Sequence, residues 1–430
     1  MLICTDSFLP LARAVARQEG LESLAVVTIP HPIGGLEPQR LDDALAAAVE
    51  PLAEALLSAP VEGPAVVSHV AVHDAPPDVS AFLSFAEERR WSDGLPLVPP
   101  TIELVEEAVA ATGRAASDLV GVVPPSNRGA TVGAVAANAV MAGCRPALLP
   151  VVLAAVQAVL EPRFNLQALA TTTHPVTPLV IVHGPVVDEL GFNGGPNVFG
   201  QGNRANAGVG RALRLVLQNI GEARPGETDR ATHGTPGKYA YCIAENAAAS
   251  PFATFHEDRG GGAAGAVTVI GGEGPHNIND HGSTDAAGIL YNIAGTLASL
   301  GSNNVYLRGQ MLLVLGPEHA EVLARDGYDR RRVQEALHMH PRARVEVSGV
   351  SPGNMGRYRL TAPHVFDHLP EDGRVPMLDR PESLLVLVAG GPGKHSMVVP
   401  TFGTTEVVTA DIGGKGSPVP AHLHDSEETE

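Results

Sequence analysis

The chain has 430 residues, 44% of them apolar, and a net charge of −18, which argues against nucleic acid and anionic membranes as partners because both repel a negative surface. The apolar share is enough for a sizeable core, no apolar run reaches membrane-spanning length, and Met1-Leu-Ile-Cys-Thr-Asp lacks the basic stretch that opens a signal peptide. Three widely spaced cysteines with no CxxC exclude a disulfide framework and make a reducing cytoplasm the expected compartment.

Residues 1–60 read as a β-α-β-α unit: a strand at Leu2–Thr5, a helix at Phe8–Gln18, a strand at Leu24–Ile29 and an amphipathic helix at Leu41–Leu57 interrupted by Pro51. If the two strands are parallel neighbours, Cys4, Thr5 and His31 come to one sheet edge. Residues 61–95, rich in Pro, Ala and charge, read as a linker or arm. Residues 96–310 read as the main α/β core. It has helices at 101–111, 131–142, 147–160, 204–219 and 284–300, and strands at 119–123, 179–183, 239–246 and 266–270. Residues 311–410 form a C-terminal α/β part with strands at 311–315 and 384–389, and 411–430 form an acidic tail expected to be disordered. Continuous Val/Leu/Ile runs alternating with helices predict an α/β fold: mostly parallel sheets covered by helices, a small N-terminal β-α-β-α unit being joined to the larger α/β core.

The densest polar stretch runs from Gly191 to Arg211. It is a Gly- and Asn-rich loop that follows a strand and feeds a helix. Free amides and the positive helix end favour an anion there, with Asn193, Asn197, Asn203, Arg204 and Asn206 as added donors. The spacing matches neither a Walker A loop nor a dinucleotide fingerprint. Only three basic residues are lysine, and two of them share one tripeptide: Pro236-Gly237-Lys238 and Pro392-Gly393-Lys394. Lys238 and Lys394, with Ser396, are therefore candidate anion binders.

His276, Asp280 and His281 form the densest set of ligand-type side chains, and a divalent metal is compatible with them, although Ser283, Thr284 and Asp285 read as a helix cap. No cofactor is required by any motif. His276 and His395 are candidate proton carriers. Cys242 lies four residues beyond Lys238, and an ammonium close by would favour its thiolate, whereas Cys144 reads as structural. Asp188, Glu189, Glu245, Glu257 and Asp258 are candidate bases that spacing does not separate.

Ile3-Cys4-Thr5 followed by Ile29-Pro30-His31-Pro32-Ile33-Gly34 resembles the closing segment of the D-proline reductase and glycine/sarcosine/betaine reductase selenoprotein B superfamily. It is also similar to the small selenoproteins and cysteine homologues named for a Sec-Gly-Ser-Cys motif. The likeness covers about the first 60 residues, and only Cys4, Thr5, His31 and Pro32 carry over. In those families the reactive selenocysteine or cysteine stands upstream of this segment, so a separate Cys- or Sec-bearing subunit is the partner the resemblance implies. Trp91-Ser-Asp-Gly-Leu-Pro, Asn138 to Cys144, the Asn197 to Arg204 loop and Gly237-Lys-Tyr resemble an uncharacterised bacterial family that implies no activity.

The expected function is that of an enzyme, or enzyme subunit of an oligomer, acting on a small anionic molecule. The chemistry implied by the resemblance is thiol- or selenol-linked cleavage of a carbon–heteroatom bond, reductase- or lyase-type. Cys4 or a partner's cysteine would supply sulfur and His31 or His276 would move the proton. Two alternatives stand beside it: a histidine-based lyase or hydratase, with or without a metal, and a scaffold subunit that binds a ligand for a partner enzyme.

Overall fold

The computed structural model describes residues 1–18, 21, 24–31, 33, 36–57 and 71–413. The chain divides into two compact units, Met1–Val66 and Val67–Glu430. Pro32, Gly34, residues 61–70 of the expected linker, Lys415, His422, His424 and the tail from residue 414 lie outside the described residues.

In the N-terminal unit, strands β1 (Leu2–Thr5) and β2 (Val26–Ile29) pair in parallel. Helix α1 (Leu9–Gln18) is the crossover, and α2 (Pro38–Leu57) follows with Pro51 inside it. A parallel pair needs such a crossover, and the helical period of residues 9–18 supplies it.

The larger unit begins earlier than a linker at 61–95 allows. Helix α3 (Val79–Glu88) is capped by Asp78, whose carboxylate accepts the Ala81 N–H. It buries Phe82 and Ala86 against Leu97, Met141 and Leu215. The residues after it are tied down as well, Gln218 and Asn219 donating to the carbonyls of Ser92 and Trp91. The charge run Glu87-Glu-Arg-Arg90 and the prolines before the helix hid this in the composition.

Helix α4 (Ile102–Ala110) starts at its Thr101 cap. The antiparallel hairpin β3 (Leu119–Val123) and β4 (Arg128–Thr131) leads through the Thr131 cap into α5 (Val132–Met141). Helices α6 (Leu149–Leu160), α7 (Leu166–Thr171), α8 (Val186–Leu190) and α9 (Arg204–Asn219) complete this layer. Helix α9 lies close to the sheet because its inner face is small: a Cβ at Gly210 would meet the Tyr241 backbone N at 2.6 Å.

Two four-stranded sheets form the centre. One has the order β6 (Cys242–Ala244), β5 (Thr177–His183), β7 (Ala266–Gly272), β14 (Val408–Asp411). The other runs β12 (Leu384–Val388), β9 (Met311–Leu315), β13 (His395–Val399), β8 (His276–Asn279). A separate antiparallel pair joins β10 (Arg344–Glu346) to β11 (Arg374–Pro376). Each large sheet has one parallel pairing, β5 with β6 and β9 with β12, and two antiparallel ones. The expectation of mostly parallel sheets is therefore corrected. The apolar runs reported burial on both faces, which here comes from a second sheet as well as from helices and says nothing of strand direction.

Leu179, Ile181, Ile243 and Ile270 of one sheet and Leu312, Val314, Leu385, Leu387 and Val399 of the other form a single buried cluster. The opposite faces meet helices. Val180, Val182, Val267 and Val269 pack among α5, α6 and α9, and Leu313, Leu315, Val386 and Val388 among α11 (Ala286–Leu297), α12 (Pro317–Arg325) and α13 (Arg330–Met339). Short α10 (Phe255–Arg259) and α14 (Pro352–Thr361) lie beyond the strands.

The two sheets share one plan, and each donates its last strand to the other. After β7 the chain crosses to place β8 in the second sheet, and after β13 it crosses back to place β14 in the first. The crossings are stitched by Glu273 N to Pro400 O (2.8 Å) and Phe402 N to Gly271 O (3.1 Å). Residue 310 is consequently no domain boundary: strands from both sides of it interleave. Among the described residues no single helix is long and apolar enough to cross a membrane. The segments 146–160 and 162–171 pass together on composition but bend by 72°, and α6 is core.

Candidate functional site

In the N-terminal unit the pairing of Cys4 with Thr28 and Thr5 with Ile29 brings both strands to one edge. There Thr5 Oγ1 lies 3.1 Å from His31 Nδ1, and the Phe8 ring meets the imidazole edge-on at 5.7 Å. Cys4, which precedes Thr5 in β1, is a half-buried free thiol. Of the three residues expected at this edge, Thr5 and His31 are in contact. A neutral His31 that accepts from Thr5 carries its proton on Nε2, which leaves that nitrogen able to deliver it.

In the larger unit, the carboxyl ends of β6 and β12 gather the loops. Gly390 N donates to Gly194 O (2.8 Å), Asn246 Nδ2 to Gly390 O (3.0 Å) and Asn246 N to Val388 O (2.9 Å). A Cβ at Gly391 would strike Pro196, so only glycine lets the Asn/Gly loop and the 390–393 turn touch. A groove of about 260 Å³ lies between them, walled by Asn197, Phe199, Gly391, His395 and Met397. The Asn/Gly loop and the 390–393 turn thus face one groove, while Lys394 is not among the residues that wall it.

The side chains along that rim divide sharply. His395 Nδ1 faces Asn277 Oδ1 at 3.1 Å, so Nδ1 is its donor, and its Nε2 faces His281 Nε2 at 3.2 Å. The two rings are edge-to-face at 4.9 Å and exposed. Lys394 Nζ donates to the His281 carbonyl (3.3 Å), and among the described residues no carboxylate pairs with it. Ser396 was expected at a ligand and is instead buried. Its Oγ accepts from Gly316 N and meets His319 Nδ1 at 2.8 Å, while His319 Nε2 donates to Asp280 O. Burial holds His319 below the usual imidazole value. This chain is scaffolding that fixes β13 against β9.

The expected metal set is not brought together. Asp280 turns inward and accepts from Ser283 N (2.9 Å) and Asn292 Nδ2 (2.8 Å). Although burial alone would raise its pKa, those bonds hold it low. His276 pairs with Val398, three residues along β8 from the Asn279–His395 pair, about 10 Å at strand rise. Among the described residues no three His, Cys, Asp or Glu side chains converge as a metal would require.

The amide donors of the Asn/Gly loop are likewise spent on the loop. Asn193 bonds Pro196 O and Gly195 N, Asn197 bonds Gln201 O, and Asn203 caps Asn206 N and holds Gly191 O. Asn206 bonds both backbone groups of Asn193, and Arg204 donates to Gly143 O (2.9 Å). The composition signalled donors correctly, but a tight loop without regular structure must satisfy its own backbone.

The cysteines of the larger unit are inert by position. Cys242 is buried and its thiol pushed far up, with Cys144 adding to the shift. Burial pushes Cys144 up to about 12 against the pull of Arg204 and Arg211. Lys238 does not approach Cys242. Its Nζ makes 2.6 and 2.8 Å bonds to both oxygens of buried Asp229, which Arg214 also meets at 3.2 Å. Gly237 packs on Thr177 at the start of β5, so Lys238 sits at the amino edge, a strand length of about 20 Å from the carboxyl edge.

His183 and Glu245 each anchor a buried cluster whose partners the sequence does not reveal. His183 Nδ1 lies 3.0 Å from His256 Nδ1 and its Nε2 2.9 Å from Thr268 Oγ1. Burial first, then His256 and Arg259, lower His183 to about 3. Glu245 accepts the Phe255 and His256 amides at the start of α10, and burial raises it. Of the other candidate bases, Glu257 completes the α10 capping box and Asp258 lies 3.6 Å from Arg330. The end of β5 did mark His183, but nothing near Asp229 marks it as the partner of Lys238.

Compared with known proteins, residues 1–58 match the model of the UGSC family. No curated protein and no solved structure matches the chain.

Proposed function

We propose, taking the UGSC match of residues 1–58 as premise, that the chain is an enzyme subunit acting on a small anionic molecule by thiol-linked cleavage of a carbon–heteroatom bond. The observation that carries this reading is the Thr5–His31 contact beside Cys4. It sets an oriented imidazole at the strand edge that also carries Cys4, a half-buried thiol, while the raised pKa values of Cys144 and Cys242 disfavour their thiolates. In this chemistry the Cys4 thiolate attacks the carbon and expels the heteroatom, and His31 protonates the leaving group. The thioether is then resolved by a thiol or selenol of a partner subunit. That group attacks the sulfur, a mixed disulfide or selenosulfide forms, and the carbon fragment leaves with a proton. The partner couple is the reductant.

In the larger unit, Lys394 is a cation without a carboxylate partner among the described residues, set beside His281 and His395, and this supports an anion-holding groove there. The test is alkylation of the complex purified from its host. Iodoacetamide should label Cys4 and spare Cys144 and Cys242, and Cys4→Ala should lack thiol-dependent turnover of small amino and hydroxy acids. Full turnover after Cys4 is blocked overturns the reading. A histidine-based lyase is favoured by one observation, the exposed His281–His395 pair. It predicts activity that survives Cys4→Ala and fails in His395→Gln.

A further inference from the structure

At the amino edge of the first sheet, opposite the groove just described, the loop 225–239 and α9 enclose a cleft of about 430 Å³. Its polar lining is Asp93, Arg214, Gln218, Asp229, His233 and Lys238. Asp93 is fully engaged: Arg211 grips it through two 2.8 Å bonds from behind the cleft. Asp229 is shared. One carboxylate faces both the Lys238 ammonium and the Arg214 guanidinium, and it also accepts the Ala231 amide. Three cations thus meet two carboxylates, and the cleft keeps one positive charge in a chain of net charge −18. An adjoining recess brings Glu87, Arg90 and Arg224, whose guanidinium groups are paired with Glu227 and Glu222, so it adds no net positive charge to the cleft.

Burying an uncompensated cation is costly, and the cost falls when an anion enters. Asp229 cannot be the missing charge. Although burial would raise it, Lys238, Ala231 N–H and Arg214 hold it ionised already. Lys238 is drawn below the usual lysine value by burial and by Arg214, against the pull of Asp229. His233 at the exposed mouth adds a donor.

We infer that this amino-edge cleft is a second ligand site, which takes a small monocarboxylate whose charge balances the Asp229–Lys238–Arg214 cluster. The inference does not depend on the Cys4 chemistry or on the groove at Lys394.

The scarcity of lysine makes the test clean, since the amines are the N-terminus, Lys238, Lys394 and Lys415. The full chain is treated with trinitrobenzenesulfonate, and peptide mass spectrometry reads the rate at each amine while propionate is titrated against chloride at equal ionic strength. Propionate should slow Lys238 about threefold at twice its dissociation constant, as simple competition requires. Chloride should not, and the protection should persist in Lys394→Ala. Arg214→Gln should weaken it. No slowing across the titration, equal slowing by chloride, or unchanged protection in Arg214→Gln would each overturn the assignment. If Arg214→Gln does not fold, the wild-type titration decides alone.

Discussion

The two Pro-Gly-Lys turns offer the molecule's clearest internal comparison. Pro236-Gly237-Lys238 and Pro392-Gly393-Lys394 are the same tripeptide, yet Lys238 is clamped by Asp229 at the amino edge of one sheet, and Lys394 at the carboxyl edge of the other meets only a carbonyl. The first precedes a strand whose neighbours bury a carboxylate under it. The second precedes β13, next to an exposed imidazole pair. Identical local sequence thus yields a structural ion cluster in one place and an available charge in the other, because the surrounding elements set the partner and the dielectric.

The comparison can be broken most severely at Asp229. Asp229→Ala strands Lys238 and Arg214 in a buried site, and denaturant unfolding should show a loss of about 3–5 kcal/mol. A smaller effect tests whether the rest of the first sheet is as tightly sealed. His183, held neutral in the fold, takes up its proton only on unfolding. Acid therefore favours the unfolded chain from about pH 6.5 down to about 3, at up to roughly 1.4 kcal/mol per pH unit. His183→Gln should flatten that slope in pH-dependent melts.

At the carboxyl edge, Ser396→Ala leaves the buried His319 Nδ1 and Gly316 N–H without their partner and should cost about 1–3 kcal/mol. Lys394→Ala should change unfolding free energy far less than Asp229→Ala, because the half-buried Lys394 has no ion pair among the described residues. It should nevertheless weaken phosphate or carboxylate binding measured by calorimetry. If Lys394→Ala destabilises as much as Asp229→Ala, the contrast between the two turns fails.

Much of the architecture was legible. Helix α9 and strand β9 fall at 204–219 and 311–315, where the sequence pattern put them, and the cap read at Ser283–Asp285 opens a real helix through Asp285. Strands β8, β13 and β14 were not legible. They are short, and β8 and β13 carry the histidines that read as loop chemistry. At the site, Thr5 with His31 was legible as a neighbouring pair. The use of each side chain was not: Asn193, Asn203, Asn206 and Ser396 turn out to bind their own scaffold.

By itself the sequence determined most of the helices and the longer apolar strands, and that cations are scarce in an acidic chain. Those properties follow from periodicity, capping and composition over a dozen residues. The tertiary structure alone decided strand direction, the exchange of β8 and β14 between sheets, and whether a lysine or thiol is buried beside a charge or left in water. Those outcomes depend on groups brought together across tens to hundreds of positions, where no local pattern reaches.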